Sequence, residues 1–259
     1  MRKVMLARGG ALSPLSGLGN THHAAVDRLK SGIIEGYELG SVHEYKISKN
    51  PIRRLWKRWK SGPANVNSKS KFHDITHITD QEQAGLTPRN STSVITVHDL
   101  FHLFPNTRNG ISVGEQNPSF IRKRDIDRIK RGISRASLLI CVSKDTKQEC
   151  EMRFPGVPTV WIPHGIEVEK YRRNMARPKW FNEGKNLLII GSEEQRKRVE
   201  FAVNVCGGMN VTLHKIGAES SLHAKNQICE LAKEVNCILN GVGIVSDVAT
   251  GAALHHAEA

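Results

Sequence analysis

Short runs of β-branched and other apolar residues alternate, over the first two thirds of the chain, with stretches in which apolar residues recur at helical spacing. Five runs predict buried strands: Lys3–Ala7, Ile75–Ile78, Ser93–Val97, Leu138–Val142 and Val160–Pro163. The fourth run is apolar throughout, which is typical of a parallel strand covered on both faces. Helices are predicted from an N-cap at Thr21, over Phe120–Ser134, and from an N-cap at Ser143 to about Phe154.

The same alternation restarts after a polar stretch, Tyr171–Lys185, which predicts a linker. The pattern beyond it predicts strands at Asn186–Ile190, Val211–Ile216 and Cys237–Asn240, and helices at Arg196–Cys206, Leu222–Val235 and Val248–Ala259. Repeated β-α-β units predict an α/β protein with parallel sheets covered by helices. We therefore expect two Rossmann-like domains, near residues 1–175 and 183–259. The second has about 77 residues, too few for a six-stranded doubly wound sheet, so we expect it to be incomplete.

Two adjoining segments of the first domain depart from this alternation. The first predicts a basic helix over Pro51–Lys60, whose apolar side carries Ile52, Leu55, Trp56 and Trp59. Such a helix suits an anionic membrane surface, and an ordinary solvated surface helix explains it equally well. The second segment, Ser61–Lys71, is rich in Ser, Asn and Lys, which predicts an exposed loop.

Composition and charge narrow the class of protein. The 259 residues are 39% hydrophobic and 24% charged, which excludes a disordered chain. The formal charge of +13 favours anionic partners such as nucleic acid, acidic lipid headgroups or phosphorylated substrates. The five cysteines form no CxxC pair, so we expect free thiols in a reducing compartment. No apolar run approaches the roughly 20 residues that span a bilayer, and no signal peptide is recognisable, which predicts a cytoplasmic protein.

Candidate chemistry follows the first and the third of the predicted strands. Gly17, Gly19 and Asn20 follow the first strand, where glycines let a ligand approach the backbone and a helix start offers N–H groups to phosphate oxygens. His98 and Asp99 follow Ser93–Val97, at the strand edge where open α/β sheets bind ligands. A histidine there can hydrogen-bond a sugar hydroxyl or a phosphate oxygen, although a lone histidine is more often a packing or capping residue.

A further candidate site follows the strand Asn186–Ile190. Gly191 and Ser192 end this strand, and two cations, Arg196 and Lys197, come shortly after them. Fixed cations at such a place stabilise the negative charge that develops on a departing diphosphate. A solvated basic helix start is the alternative, and it is disfavoured because cations are repelled by the positive end of a helix dipole.

Taken in order, these segments resemble blocks of glycosyltransferase family 4, a large family of retaining enzymes with the GT-B fold. The resemblance covers the chain outside residues 30–72, in the blocks GLGN at 17–20, SVITVHDL at 93–100, SLLICVSK at 137–144, VWIPHGIE at 160–167, LIIGSEEQRKR at 188–198 and ILNGVGIVSD at 238–247. In the fourth block His164-Gly165-Ile166-Glu167 stands where the family usually has Asn-Gly-Val-Asp. His77 also ends a predicted strand, in a segment that resembles the family. A functional role and a packing role are equally open for this histidine.

The resemblance assigns roles to the candidate residues. A histidine at the place of His98 lines the family's active site, with Asp99 beside it, and an Arg-Lys pair at the place of Arg196 and Lys197 is directed at the donor's diphosphate. Arg198 stands where the family commonly has Asn or Gly, and Ser192 where some members have another Arg. The resemblance therefore implies donor binding by Gly191, Ser192, Arg196 and Lys197.

The implied activity is transfer of a sugar from a nucleotide-sugar donor to an acceptor hydroxyl, with retention at the anomeric carbon. The acceptor, glycan or lipid-linked, is expected on the first domain near Gly17–Asn20 and His98, and the donor on the second. No metal or other cofactor is expected beside the nucleotide-sugar co-substrate. The family's Glu-x7-Glu motif would follow the last residue of this sequence, so we expect a C-terminally truncated enzyme whose own activity is open. Peripheral attachment at the inner membrane face, through residues 51–60, is a further expectation.

Three other interpretations remain. A non-catalytic remnant of the same fold would share all the blocks. A nucleic-acid-binding protein fits the charge, but the basic residues are scattered and no helix-turn-helix, zinc-finger or aromatic RNA-binding motif is present, which disfavours it. A nucleotide-sugar epimerase of double-Rossmann form is opposed only by the block around His98.

Overall fold

The computed structural model describes residues 1–14, 16–108, 110–165 and 175–258, to which all structural statements below refer. The chain divides into two compact units, residues 1–106 with 113–164 and residues 107–112 with 165–259. Residues 166–174 lie outside the described part, and they include Ile166, Glu167 and the start of the predicted linker. The predicted end of the first domain, near 175, directly follows them. No described helix is both long enough and apolar enough to cross a membrane.

The first unit is built on a six-stranded sheet in which all neighbouring strands are parallel. Its order is β2-β1-β3-β4-β7-β8. A separate two-stranded sheet pairs β5 with β6, and residues 107–112 of this pair belong to the second unit. The strands are β1 Arg2–Gly10, β2 Tyr37–Tyr45, β3 Ile75–Ile78, β4 Ser93–Val97, β5 Asn106–Arg108, β6 Ile111–Val113, β7 Leu138–Cys141 and β8 Thr159–Trp161.

Helices cover both faces of this sheet. They are α1 Gly17–Lys30, α2 Pro51–Trp56, a π-helical turn Lys57–Ser61, α3 Gly62–Ser70, a 3-10 helix Gln81–Leu86, α4 Phe120–Ile133 and α5 Lys144–Arg153. Successive side chains of β1 point to opposite faces, as a strand requires. Val4 and Leu6 belong to the core cluster that contains α1, whereas Met5 and Ala7 belong to the cluster that contains α3, α4 and α5.

The second unit holds a three-stranded parallel sheet of order β11-β10-β9. Its elements are β9 Lys185–Ile190, a 3-10 helix Gln195–Lys197, α6 Val199–Cys206, β10 Val211–Ile216, α7 Leu222–Glu234, β11 Ile238–Gly243 and α8 Asp247–His256. Leu187 and Ile189 of β9 pack into the cluster formed by α6 and α7. Leu188 packs on the other face, where α8 and Phe181 lie. The alternating β-α-β order and parallel sheets that the sequence predicts are therefore confirmed.

The buried imidazole of His214 joins the three strands of the second sheet. Its Nε2 lies 2.7 Å from Asn186 Oδ1, and its Nδ1 lies 3.1 Å from Asn240 Nδ2. Because the amide oxygen accepts and the amide nitrogen donates, the ring must be neutral, with its proton on Nε2. Burial and the nearby Arg177 charge lower the pKa of His214, which agrees with that assignment. The histidine therefore serves the architecture of this unit.

Several element boundaries differ from the sequence predictions. Helix α1 begins at Gly17, and Ser16, whose side chain accepts from Gly19 N, is the N-cap instead of Thr21. The segment predicted as an exposed loop, Ser61–Lys71, is mostly helix α3, because Val66 is fully buried and anchors it to the core.

Two further differences concern β2 and α6. The strand β2 was not predicted, because this edge strand carries many polar residues and no apolar run. The helix predicted over Arg196–Cys206 begins only at Val199, because Arg198 adopts the left-handed conformation (φ 55°) and separates it from a 3-10 turn. Lys197 therefore lies in the connection that precedes α6.

Candidate active site

The carboxyl edge of the first sheet gathers several polar side chains. The strand order reverses between β1 and β3, because the chain passes from β1 to β2 on one side and returns to β3 on the other. In open parallel sheets such a reversal opens a crevice at the carboxyl ends of the strands, and ligands bind there. His98, which follows β4, lies at this edge, as the sequence predicts.

His98 is held in one orientation by backbone and side-chain partners. Its Nε2 lies 3.0 Å from the carbonyl oxygen of Thr79, and its backbone N–H donates to Gln81 Oε1 at 2.9 Å. Because a carbonyl can only accept, Nε2 of His98 carries the proton, and in the neutral ring Nδ1 is an acceptor. The side chain is half-buried, so one part of the ring remains accessible to a ligand.

A second histidine stacks on this ring. His164 lies with its centroid 5.1 Å from that of His98, and its Nε2 is 3.2 Å from His98 Nδ1. Since His98 Nδ1 accepts, His164 donates through Nε2–H in the neutral pair. Burial and the charge of His98 lower the pKa of His164, which disfavours two adjacent imidazolium ions. The motif substitution at position 164 thus places a second imidazole beside the predicted catalytic one.

Two more histidines lie beneath this pair. Thr79 connects His22 of α1 to the pair, since its carbonyl accepts from His98 while its hydroxyl lies 2.8 Å from Nδ1 of His22. His77 Nε2 lies 2.8 Å from Thr96 Oγ1, and burial, with His22 and His98 adding to the effect, lowers the pKa of His77 to about 4. His77 is therefore a neutral, hydrogen-bonded group at neutral pH.

An ion pair that sequence reasoning missed also lies at this edge. Arg8, near the end of β1, has Nη2 3.4 Å from Asp80 Oδ2, and both side chains are almost fully buried. Burial raises the pKa of Asp80. The signal available in the sequence was a charged residue, Arg8, inside an otherwise apolar strand, because a buried charge requires a partner.

The predicted phosphate loop lies in the first turns of α1. Gly17 and Gly19 are both helical. Ser16 accepts from the backbone N–H groups of Gly19 and Asn20, and it does not bind those of Gly17 and Leu18. A Cβ at Gly19 would lie 2.0 Å from the backbone oxygen of Ser13, so glycine is required for packing. The helix reaches the His98 group through His22, and a phosphate role for its start remains a prediction.

Asp99 is half-buried after His98, and its predicted catalytic role likewise remains a prediction. Helix α5 begins close by, with Ser143 as its N-cap as predicted. The hydroxyl of Thr146 in its first turn lies 3.4 Å from His98 O. The backbone of this segment is therefore fixed from two sides.

In the second unit, the loop after β9 carries the predicted donor residues. Gly191 N donates to Ile216 O, and a Cβ at Gly191 would lie 3.2 Å from Lys197 Cγ, so the lysine stem packs over the glycine. Lys197 is exposed and makes no ion pair with the described residues, which leaves its ammonium available. Arg196, by contrast, has Nε 2.6 Å from Glu194 Oε2, and Ser192 Oγ lies 3.3 Å from the other oxygen of this carboxylate.

A buried ion pair fixes the start of this loop. Glu193 Oε1 lies 2.7 Å from Lys215 Nζ, and its other oxygen accepts from the backbone N–H and the hydroxyl of Ser220. These partners overcome the effect of burial and lower the pKa of Glu193 to about 2. The carboxylate ties the loop to the ends of β9 and β10, a role that nothing in the local sequence indicated.

The candidate residues therefore form two groups, each within one unit. His98, Asp99 and the start of α1 belong to the first unit, and Gly191, Ser192, Arg196 and Lys197 to the second. Among the described residues no group of three His, Cys, Asp or Glu side chains is placed to hold a metal ion. All five cysteines are free thiols, as expected, and four of them are buried.

Comparison with known proteins supports the fold. No protein-family model and no curated protein matches the chain. Among solved structures, the chain is similar over its whole length to Anabaena Alr3699/HepE in complex with UDP-glucose (12% identity, 72% of that chain, TM-score 0.65) and with UDP and glucose (11%, 73%, 0.63). It is also similar over its whole length to AviGT4, a glycosyltransferase involved in avilamycin A biosynthesis (13%, 68%, 0.52). The chain thus has the predicted α/β fold of GT-B type, with a parallel sheet in each unit.

Proposed function

We propose that this chain is a glycosyltransferase that transfers a sugar from a nucleotide-sugar, of which UDP-sugars are the first class to test, to an acceptor hydroxyl. The observation that carries the proposal is the available Lys197 at the carboxyl end of β9, in a fold whose solved neighbour HepE holds UDP and UDP-glucose. The resemblance to glycosyltransferase family 4 adds retention at the anomeric carbon. A glycan or lipid-linked acceptor follows from the same resemblance.

The charges explain how the donor loop would act. When the bond between the anomeric carbon and the donor phosphate breaks, negative charge develops on the departing diphosphate. Lys197 would neutralise part of it, and the N–H groups at the start of α6 would provide further donors. Arg196 would contribute only after exchanging Glu194 for the phosphate. The acceptor oxygen forms the new bond to the anomeric carbon, and its proton leaves with the diphosphate or to water.

The first unit would position the acceptor. His98 offers Nδ1 to a sugar hydroxyl once His164 turns away, or the stacked pair binds the sugar through the free nitrogen of His164. In the hydrogen-bonded pair His98 donates to Thr79 O and His164 donates to His98 Nδ1, so both rings act as hydrogen-bonding groups that position the acceptor. No metal or cofactor is required in this proposal, because basic side chains and helix N-termini bear the diphosphate charge.

Release of nucleoside diphosphate tests the proposal. The chain is incubated with UDP-, GDP- and ADP-sugars, with oligosaccharides or lipid extract as acceptor source, and free diphosphate is measured. We expect release from one nucleotide class, a reduction of about 100-fold in Lys197→Ala, and little change in the matched variant Lys185→Ala, at the opposite end of β9. Absence of release with every donor, or equal rates in both variants, would contradict the proposal.

A further inference from the structure

A basic groove lies on the first unit, away from the candidate active site. It has a volume of 610 Å³ and is lined by residues of α3 and α4, together with Gly85 and Thr87. Five cations line it: Lys60, Arg89, Arg128, Arg131 and Arg135. We call it the arginine groove.

The arginine groove is at the amino edge of the sheet. Arg89 precedes β4 by four residues, and Arg135 precedes β7 by three. His98 and Thr79 follow the carboxyl ends of strands, so they lie at the opposite edge. A ligand in the arginine groove is therefore distinct from an acceptor bound near His98.

Backbone carbonyls, and not carboxylates, hold the guanidinium groups in place. Arg128 Nη2 donates to Trp59 O at 2.8 Å, and its guanidinium lies 6.0 Å from the centre of the Trp59 ring. Arg135 Nη2 donates to Thr87 O at 3.2 Å. Each of these bonds orients a guanidinium without neutralising it and leaves most of its five N–H donors unused.

The nearest acidic groups are already neutralised by other arginines. Asp125 accepts from both Arg58 and Trp59 and also pairs with Arg122, which in turn pairs with Glu82. Among the described residues, no carboxylate forms an ion pair with any cation of the arginine groove. The charge of Asp125 still acts on Arg128, but that carboxylate is shared with Arg58 and Arg122, so the groove keeps an excess of positive charge.

The cations of the groove repel one another. Partial desolvation of its guanidinium lowers the pKa of Arg135, although the residue is exposed as a whole, and the charges of Arg89, Arg131 and Arg128 lower it further. Attraction to the negative end of the α4 dipole accounts for a cation in the last turn, such as Arg131, but its effect does not extend beyond that turn. Arg89, in the connection before β4, gains nothing from that dipole. Mutual repulsion of several cations at one shaped surface is typical of an anion-binding site.

We propose that the arginine groove binds a ligand with two or more closely spaced phosphate groups. Arg128 and Arg131 lie about one turn apart on α4, and Arg135 follows just beyond the end of that helix, where it donates to Thr87 O. Three arginines that line one groove match several neighbouring phosphate groups better than a single ion. Planar guanidinium groups bind phosphate oxygens in pairs. Beside Lys60, the groove is also lined by Pro63, Ala64 and Trp59, whose uncharged side chains would contact the organic part of such a ligand.

Calorimetric titration with inorganic tripolyphosphate tests the site. Because the donor loop could also bind polyphosphate, the measurement is made on the Lys197→Ala variant of the full chain as well as on the unmodified protein. We expect binding in both, with orthophosphate at least tenfold weaker, and at least a tenfold loss of affinity when Arg131→Gln and Arg135→Gln are combined. Both side chains are exposed, so the variant should fold.

The matched control combines Arg28→Gln and Lys30→Gln. These substitutions remove the same amount of charge from the last turn of α1, outside the groove, so the affinity for tripolyphosphate should be retained. Equal losses in the two double variants would overturn the proposal, because net charge would then explain the binding. Loss of binding in Lys197→Ala alone would also overturn it and would leave the proposed donor site intact.

Two further titrations identify the source of the phosphates. Vesicles of phosphatidylcholine containing a bisphosphorylated inositol lipid test a membrane source, and free inositol polyphosphate tests a soluble one. The proposal is supported if either ligand binds, is displaced by tripolyphosphate and does not bind to the variant that combines Arg131→Gln and Arg135→Gln. If a single-stranded oligonucleotide binds while tripolyphosphate does not, the proposal is overturned in favour of a nucleic-acid surface.

Discussion

Replacing His77 by Gln removes a titrating group from the core of the first unit while keeping an amide that can bond to Thr96. In the folded protein the pKa of His77 is lowered from 6.5 to about 4, mainly by burial. The unfolded chain therefore binds this proton at a higher pH than the folded one. Between pH 6.5 and pH 4 the free energy of unfolding then falls as the pH falls, and above pH 6.5 the stabilising contribution is fully present.

The size of the effect follows from those two pKa values. Between pH 7.5 and pH 5.5, a histidine with pKa 6.5 when unfolded and about 4 when folded lowers the free energy of unfolding by about 1.3 kcal/mol. His22, His43 and His164 have lowered pKa values as well and add to the total loss in the unmodified protein. The difference between protein and variant isolates the share of His77.

The assay is urea unfolding at both pH values, followed by tryptophan fluorescence. We expect the pH-dependent loss to be smaller by about 1.3 kcal/mol in His77→Gln than in the unmodified protein. The control is His223→Gln, because this ring is exposed at the start of α7 and is solvated in both states. An identical pH dependence in protein and His77→Gln would refute the reasoning, because His77 would then titrate alike in the folded and unfolded chain.

Three further variants test other parts of the account. Glu193→Gln breaks the buried pair with Lys215 and should lower the free energy of unfolding by about 3 kcal/mol. The control Glu219→Gln, at an exposed pair with Lys225, should lower it by less than about 1 kcal/mol. Similar losses in urea unfolding would contradict the assigned role of Glu193. Gly132→Ala should lower the melting temperature strongly, because the new Cβ would lie 1.8 Å from Ala84 O. The control Gly156→Ala should leave the melting temperature unchanged, because its Cβ would meet no atom within 4 Å. Comparable melting temperatures of the two variants would show that α4 can shift. If residues 51–60 contact anionic membranes, Ile52→Ser combined with Trp56→Ser should reduce co-sedimentation with anionic vesicles severalfold, because these side chains are 76% and 59% exposed. The control is Met152→Ser, a substitution at another exposed apolar side chain. Equal recovery of the unmodified protein with neutral and anionic vesicles would exclude the contact.

Local sequence predicted those elements whose stability is encoded locally. The bounds of β3, β4 and β10 agree with the predicted strands, because each is a buried parallel strand rich in apolar and β-branched residues. Ser143 caps its helix as predicted. The edge strand β2 and the helix α3 were missed, since the first is polar and the second consists of poor helix formers anchored by the buried Val66.

The candidate sites were predicted only where the chain places their residues after a recognisable strand. His98 and Lys197 follow β4 and β9, so strand prediction located them. Their partners could not be found in this way. His164 lies 66 residues from His98, and Asp80 lies 72 residues from Arg8. The arginine groove likewise joins three separate segments, so its charge appears in the sequence only as part of the overall excess of basic residues.

Binding of nucleotide-sugars to the donor loop tests the central claim most directly. Thermal shift is measured for the protein, Lys197→Ala and Lys185→Ala with UDP-, GDP- and ADP-sugars and with the free diphosphates. The account predicts a shift that is selective for one nucleotide, is retained in Lys185→Ala and is lost in Lys197→Ala. A shift of equal size in both variants, or none with any nucleotide, would contradict a donor site at the end of β9.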